Sequence, residues 1–528
     1  MSTLGSQGVA VLLGYVSDEH YVAISDVAVE LVNDQESLLT RSSASGAVHF
    51  DGPPGRYEVI LSRSGYGPKR TVVEAVDGRP VHLRLLSDRM YGYAWPKWVR
   101  TGGRSQVRVS AGAGYRIDLW HCGWQRKLVA ALGYDSHAPR ATRQITPDGD
   151  YTRTGVGWRD PFVATAPARS GLYYFHVHCD DGGFTSFPWI VTPERPTAAV
   201  AVLTSSTTWN AYNNFGGRSN YISPAELPPV PPVDRRQDLE RYAQPEIESW
   251  RFDSYAPLSF DRPEPANVLP LSERITDPIA GRDACGLASA EWRLLGWLER
   301  EDIAYDLYAD VQLHWDDFDL DAYRVLVLNA HPEYWSRRMY ERVRDWVGRG
   351  GRLMYLGGNG INCAVDYPDR ETMVVLNGDG RILDADRERL QSRFGMLVEP
   401  EATLLGVGFT RAGMMTGAPY KVADAAHWAF EGTGLRDGDL FGRNSVHTRC
   451  PGGASGHEMD KVTPSSPPKT RVLAKGTNPG GSGAEMAYYE LDSGGAVFSA
   501  GSINYPASLP VDPAISQITV NVFRRFLS

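Results

Sequence analysis

The hydrophobic pattern along this 528-residue chain changes character near residue 195. Before that point, strand-length apolar runs recur between glycine, proline and aspartate turns; after it, they alternate with helix-period segments. Residues 9–16, 27–32, 47–50 and 57–61 are such runs, with Asp51-Gly52-Pro53-Pro54-Gly55 between the last two. This spacing predicts a small antiparallel β-sandwich over residues 1–88. A second β-sandwich is predicted over residues 89–195, from the alternating runs 106–110, 115–120, 171–178 and 187–191. His176 and His178 fall on one face of that sheet, where they are expected to pack against a neighbouring domain.

Pro193-Glu194-Arg195-Pro196 marks the boundary to the largest segment, residues 196–528. There, residues 198–203 read as a buried strand and 291–300 as an amphipathic helix. Residues 323–328 form a fully apolar run, Ser336 reads as the N-cap of a helical pattern that includes 339–348, and 352–356 form another strand. Strand and helix patterns alternating in this way predict a doubly wound parallel sheet, of the glutamine-amidotransferase or flavodoxin-like type. Residues 222–250, rich in proline and charge, read as an excursion from it. Residues 484–491 and 495–500 form a late hairpin turning at Asp492-Ser493-Gly494, and a final helix spans 515–526.

Composition narrows the function classes. Hydrophobic residues make up 42% and charged residues 22%, as in a soluble globular protein. A net charge of −9 without any basic run argues against a nucleic-acid partner. No window approaches the ~18 apolar residues of a membrane span. Residues 1–15 lack the features of a signal peptide, and a cytoplasmic location is expected. The 5 cysteines are scattered without a CxxC pair, which argues against a disulfide framework or a cysteine zinc site.

Candidate chemistry collects at strand ends. Four buried strands of the last domain run into polar or glycine-rich segments: 205–221, His331-Pro332-Glu333-Tyr334-Trp335-Ser336, Gly357-Gly358-Asn359-Gly360 and Gly501-Ser502-Ile503-Asn504-Tyr505. In a parallel sheet these ends share one edge, where ligands usually bind, so Tyr212, His331, Glu333 and Asn359 are expected to meet. His331 and Glu333 have two readings, a cap on the following helix or a site in which a cation compensates a desolvated carboxylate. No GxSxG elbow, Walker sequence, HExxH or strand-borne GxGxxG is present. Cys363 lies past its strand without the tight small-residue frame of a nucleophile elbow, and reads as a buried small hydrophobe.

Two resemblances add to this. Residues 46–66 resemble carboxypeptidase-regulatory-like modules, which are accessory. The segments Thr208-Trp209-Asn210-Ala211-Tyr212-Asn213-Asn214-Phe215-Gly216-Gly217, Ser259-Phe260-Asp261-Arg262-Pro263, His331 to Ser336 and Leu356 to Gly360 resemble, in the same order, the C-terminal domain of the N,N-dimethylformamidase large (beta) subunit family. That resemblance implies a mononuclear iron, ferric by its hard ligands, held by two tyrosinates and a glutamate and used to hydrolyse a small-molecule amide. It implies Tyr212 and Glu333 as ligands, His331 and Asn359 as polar partners, and Glu458 as the late acidic residue. Where the family carries its second tyrosine, directly after Arg-Pro, this chain has Glu264, with Tyr255 as the other candidate. The family also implies a small-subunit partner, beside which a homo-oligomer stays open.

The expected function is therefore metal-dependent hydrolysis of an amide or related carbon–nitrogen bond, with His331, Asn359 and Glu458 catalytic and Tyr212, Glu333 and Glu264 on the metal. The rivals are a glycosidase using Glu333 and Glu458 as its carboxylate pair, and a binding protein that has lost the metal.

Overall fold

The computed structural model describes residues 11–132, 142–234, 255–269, 286–376 and 393–528. Much of the proline-rich excursion, at 235–250, and Cys285 lie outside the described residues. The chain is a strand-rich, multidomain β protein whose last part carries an α/β sheet.

The first β region folds as two sheets over one core. Ala28–Val32 and Gly55–Ser62 pair antiparallel, and alternation places Val29, Leu31, Tyr57, Val59 and Leu61 inside with Glu58 out. The second region pairs a three-stranded with a five-stranded sheet. Its central strand, Gly171–Cys179, is buried on both faces. Tyr173, Phe175 and Val177 enter the sandwich core, while Leu172 and Tyr174 belong to the core of the α/β sheet. That double burial is why its sequence is apolar almost throughout. His176 shares the Tyr174 face and packs against Trp120 and Phe184.

Among the described residues, nine strands form the main sheet of the last region. Asp306–Ala309, Val200–Thr204, Val325–Ala330, Arg352–Gly357 and Ala496–Ser499 are neighbours in that order, all parallel. Val325–Ala330 is central and buried at every position. Beyond Ala496–Ser499 the sheet continues antiparallel, because the turn at Asp492-Ser493-Gly494 folds Glu485–Glu490 back beside it. The parallel sheet expected from the sequence is thus one part of a mixed sheet, which the expected late hairpin extends. The helix Arg337–Gly348 starts where the chain predicts, with Ser336 Oγ accepting from the Met339 amide at 3.2 Å. It buries Met339, Tyr340, Val343, Trp346 and Val347, one stripe at helical spacing.

The β modules also touch the strand-end loops. Arg84, fully buried at the end of Val81–Arg84, donates to the Gly216 carbonyl, and the Gly216 amide donates to the Glu19 carbonyl at 2.6 Å. Phe215 sits beside Tyr91, Tyr151 and Trp158, sealing the junction of the three regions.

Candidate functional site

Three loops meet at the carboxyl edge of the parallel strands. The short helix Ser206–Tyr212 follows Val200–Thr204 and ends on Tyr212. Its first turn is fixed by Asp310, which accepts from Ser206 Oγ at 2.5 Å and from the Thr207 amide at 3.1 Å. Thr208 then bridges to the next loop, donating to the His331 carbonyl at 2.8 Å and accepting from the Glu333 amide at 3.1 Å. Downstream of the helix, the Arg262 guanidinium donates to the carbonyls of Phe215 at 2.5 Å and Asn213 at 3.3 Å, and to Asn210 Oδ1 at 3.1 Å. The Ser259–Pro263 motif therefore clamps the tyrosine-bearing loop.

The side chains form one continuous polar network. Tyr212 donates its hydroxyl to Glu333 Oε2 at 2.6 Å, and the Tyr221 hydroxyl donates to Tyr212 Oη at 3.0 Å. His331 Nε2 stands 3.4 Å from Glu333 Oε2 and 3.0 Å from Glu458 Oε2. Asn359 Nδ2 donates to Glu458 Oε2 at 2.7 Å. The Cys363 thiol donates to Glu333 Oε1 at 3.5 Å. His331 and Glu333 are each only 2% exposed, whereas Tyr212 and Tyr221 are partly exposed, so the site opens on its phenol side.

Electrostatics divide this network into two halves. Burial acts to depress the His331 pKa, but Glu458, followed by Glu333 and Asp460, outweighs it and holds the imidazole above its ordinary value. Burial would raise Glu458, yet His331, His457 and Asn359 pull it down to about 2. The pair thus favours imidazolium beside carboxylate. Tyr212 goes the other way: burial, then the negative charge of Glu333, pushes its phenol well above the usual range. A bound cation reverses that preference.

The backbone around the site is unusual. Ala330, Asn359, Ile361 and His457, all non-glycine, have φ between 52° and 66°. For a β-branched residue such as Ile361 this conformation is a true outlier, and such outliers cluster where geometry serves function. Gly358 must be glycine, because a Cβ there would run into the Glu458 carbonyl. Asp460 ties the loops together, accepting from the Asn359 amide at 2.9 Å and the Tyr355 hydroxyl at 2.7 Å.

The structure thus joins Tyr212, His331, Glu333, Asn359 and Glu458 in one network. Glu264 has different partners: its carboxylate lies 2.5 Å from Lys97 Nζ and accepts from Asn267 Nδ2 at 2.9 Å. Tyr255 is buried, its amide donating to the Val375 carbonyl at 2.9 Å on the strand that flanks Cys363–Asp366. Sequence reasoning did not single out Tyr221, nine positions past Tyr212 in the same glycine-rich loop. It also set Cys363 aside and passed over Asp460. Only the Tyr221 role had a signal in the sequence, its place at the end of the polar segment after a buried strand. Among the described residues, no group of three or more His, Cys, Asp or Glu is disposed to hold a metal ion. The donors that converge here are phenols and a carboxylate. A cavity of about 720 Å³ lined by Arg169, Glu194, Arg195 and Tyr305 includes none of these residues.

Residues 114–518 match the family model described as N,N-dimethylformamidase beta subunit-like, C-terminal. The N,N-dimethylformamidase beta subunit of Paracoccus aminophilus is 25% identical over 430 residues, covering 70% of this chain and 54% of that protein. The N,N-dimethylformamidase beta subunit of an Alcaligenes species is 24% identical over 432 residues, with the same coverage of 70% and 54%. The chain spans about half the length of these relatives. Among solved structures, the N-terminal domain of mmIFT52 covers 44% of this chain and 87% of its own at 11% identity, but its TM-score of 0.26 carries no argument.

Proposed function

The chain belongs to the N,N-dimethylformamidase beta subunit-like, C-terminal, family, and on that premise we propose that it hydrolyses the carbon–nitrogen bond of a small amide with the help of a hard metal ion, iron by choice of donors. The observation that carries this reading is the contact of Tyr212 with Glu333 at 2.6 Å, beside the His331–Glu458 pair at 3.0 Å. The donor set fits the group: phenolate and carboxylate are hard anionic oxygens and favour ferric iron over soft-ligand metals. Tyr212 and Glu333 would hold it. Glu264, already neutralised by Lys97, fits less well. When bound, the ion supplies Lewis-acid polarisation of the amide carbonyl and lowers the pKa of water at the same point.

The remaining steps fall to the protein's own groups. His331, kept as imidazolium by Glu458, gives its proton to the departing amine nitrogen. It regains one from the attacking water. Glu458, held as carboxylate by His331 at 3.0 Å, acts by keeping that imidazole charged. Asn359 spends one amide hydrogen on Glu458 and has a second to offer the developing oxyanion, a contribution of roughly 3 kcal/mol in comparable sites. Burial of His331 and Glu333 excludes water from the reacting end.

The parallel half of the main sheet supports grouping the last region with doubly wound folds of the glutamine-amidotransferase or flavodoxin-like kind. The relatives are named as beta subunits, which supports a second, smaller subunit as partner. The glycosidase reading is disfavoured by geometry. The His331 imidazole lies within 3.4 Å of both carboxylates, in the gap that a sugar would need.

The deciding experiment is metal analysis of the purified chain followed by a screen of small amides, with and without chelator. Stoichiometric metal and amide hydrolysis abolished by the chelator are expected. Chelator-resistant hydrolysis would overturn the reading.

A further inference from the structure

We propose that His457 is a substrate-binding residue whose ring Nε2–H, together with the free side-chain carbonyl of Asn359, selects an amide that still carries an N–H. This rests on the amide reading above and names the class of amide that the chain takes.

His457 is the outer member of a pair of buried imidazoles. His447 Nε2 lies 3.2 Å from His457 Nδ1, with the ring planes at 69°. The Cys450 amide donates to His447 Nδ1 at 2.9 Å, so that nitrogen carries no proton. The His447 proton is therefore on Nε2 and is donated to His457 Nδ1, which leaves the His457 proton on Nε2. Burial keeps both rings neutral, and holds His457 down to about 4 against the opposing pull of Glu458. The charges of Glu458 and His331 act on His457, whereas His447 feels His457, Arg293 and Arg449. His457 thus faces the site and His447 stands behind it. His447 is 1% exposed and His457 7%. Among the described residues, nothing accepts from His457 Nε2.

Asn359 supplies the complementary group. Its Nδ2 donates to Glu458 Oε2 at 2.7 Å, and a carboxylate only accepts, so the other side-chain atom is Oδ1. That oxygen is buried and accepts no hydrogen bond among the described residues. Because His457 precedes Glu458 in the chain, the free donor and the free acceptor flank one carboxylate. Both residues hold a left-handed backbone, with φ 66° at His457 and 52° at Asn359. At His457 it is secured by the Met415 amide, which donates to its carbonyl at 2.7 Å, and by its own amide, which donates to the Thr416 carbonyl at 3.0 Å. A buried donor and a buried acceptor left unmade are costly, and a ligand that satisfies both recovers that cost. An amide with an N–H offers its carbonyl oxygen to His457 and its hydrogen to Asn359. A tertiary amide offers no hydrogen and leaves Asn359 Oδ1 unmet.

The test compares N-methylacetamide with N,N-dimethylacetamide, which share an acyl group and differ in the N–H, on the purified full-length chain with its metal. Wild type is expected to favour N-methylacetamide in kcat/KM by at least ~100-fold, since a site built around a hydrogen bond rejects the analogue that lacks it. Asn359→Leu, slower towards both, should lose most of that preference. His457→Phe should lower kcat/KM for N-methylacetamide at least ~10-fold at wild-type metal content, and His457→Gln, which keeps an N–H donor, should recover part of it. His447 is a positioning residue that acts through His457. His447→Leu should lower kcat/KM and mix the His457 tautomers in nitrogen NMR spectra of the rings, and His447→Gln should restore both. Equal kcat/KM for the two amides overturns the proposal and leaves amide hydrolysis standing, as does His457→Phe with wild-type kinetics. A His457 ring protonated at Nδ1 at pH 7 also overturns it. A wild type that hydrolyses no amide overturns this proposal and the amide reading together.

Discussion

The hydroxyl of Tyr212 donates to Oε2 of Glu333 at 2.6 Å across a sequence separation of 121 residues. Neither side chain is placed by its neighbours in sequence. Tyr212 ends a helix whose first turn is held by Asp310, and Glu333 sits in a loop whose amide is held by Thr208. Removing either oxygen should empty the site. Glu333→Ala is expected to lose bound metal and at least ~100-fold of amide hydrolysis, the scale on which electrostatic stabilisers act. Elemental analysis of the purified variant checks it; full metal occupancy would remove Glu333 from the donor set.

Glu458 should separate chemistry from metal binding. Glu458→Gln keeps the shape and an acceptor for Asn359 but removes the charge that holds His331 protonated. Turnover is expected to fall by ~10²-fold or more, within the usual range for losing a general acid or base. Metal content should stay at the wild-type level. Steady-state kinetics alongside metal analysis would show this, and an unchanged kcat would rule out the imidazolium role.

Asp460 joins the Asn359 loop to the strand beside Glu458. Asp460→Ala strands the buried Asn359 amide and Tyr355 hydroxyl, each costing about 1–3 kcal/mol. Urea unfolding should show a loss of roughly 2–6 kcal/mol by the same reckoning. Asp460→Asn, which still offers one acceptor, should recover part of it.

Glu291 gives the chain an alkaline weakness. Burial raises its carboxyl from 4.5 to about 8, despite the hydrogen bonds it accepts from the Ser205 amide and Trp209. The native state therefore holds a proton that the unfolded chain gives up above pH 4.5. The contribution is fully present below that pH and drains away as pH rises to about 8. The full loss is about 5 kcal/mol at 1.36 kcal/mol per pKa unit. Glu291→Gln should flatten this decline and be the more stable protein at pH 9, as thermal melts across pH would show. An unaltered pH profile would contradict the raised carboxyl.

Phe215 tests how far the β modules support the site. It is fully buried against Tyr91, with the ring centroids 5.2 Å apart. Phe215→Ala should cost about 3–5 kcal/mol, as is usual for an emptied aromatic site. The neighbouring Tyr212 loop should loosen, visible as faster amide exchange in residues 210–217.

Particular residues show what the sequence could and could not say. The buried run before Asn329 announced the Val325–Ala330 strand, because a strand covered on both faces is apolar at every position. Ser336 announced its helix cap, since capping is a local hydrogen bond. Strand ends on one edge brought Tyr212, Glu333 and Asn359 into one neighbourhood by topology alone. The antiparallel half of the main sheet was half-visible, as a hairpin without its partners.

Contacts between distant segments were decided only by the tertiary structure. The pairing of Glu264 with Lys97, the approach of Tyr221 to Tyr212 and the grip of Arg84 on the Gly216 carbonyl each join segments whose spacing carries no period. Patterns along a chain record the solvent that each face meets, so they fix elements and their buried sides. Which phenol meets which carboxylate depends on loop closure and packing over the whole fold. For this chain, sequence determined the edge at which chemistry collects, and tertiary structure decided which oxygens meet there.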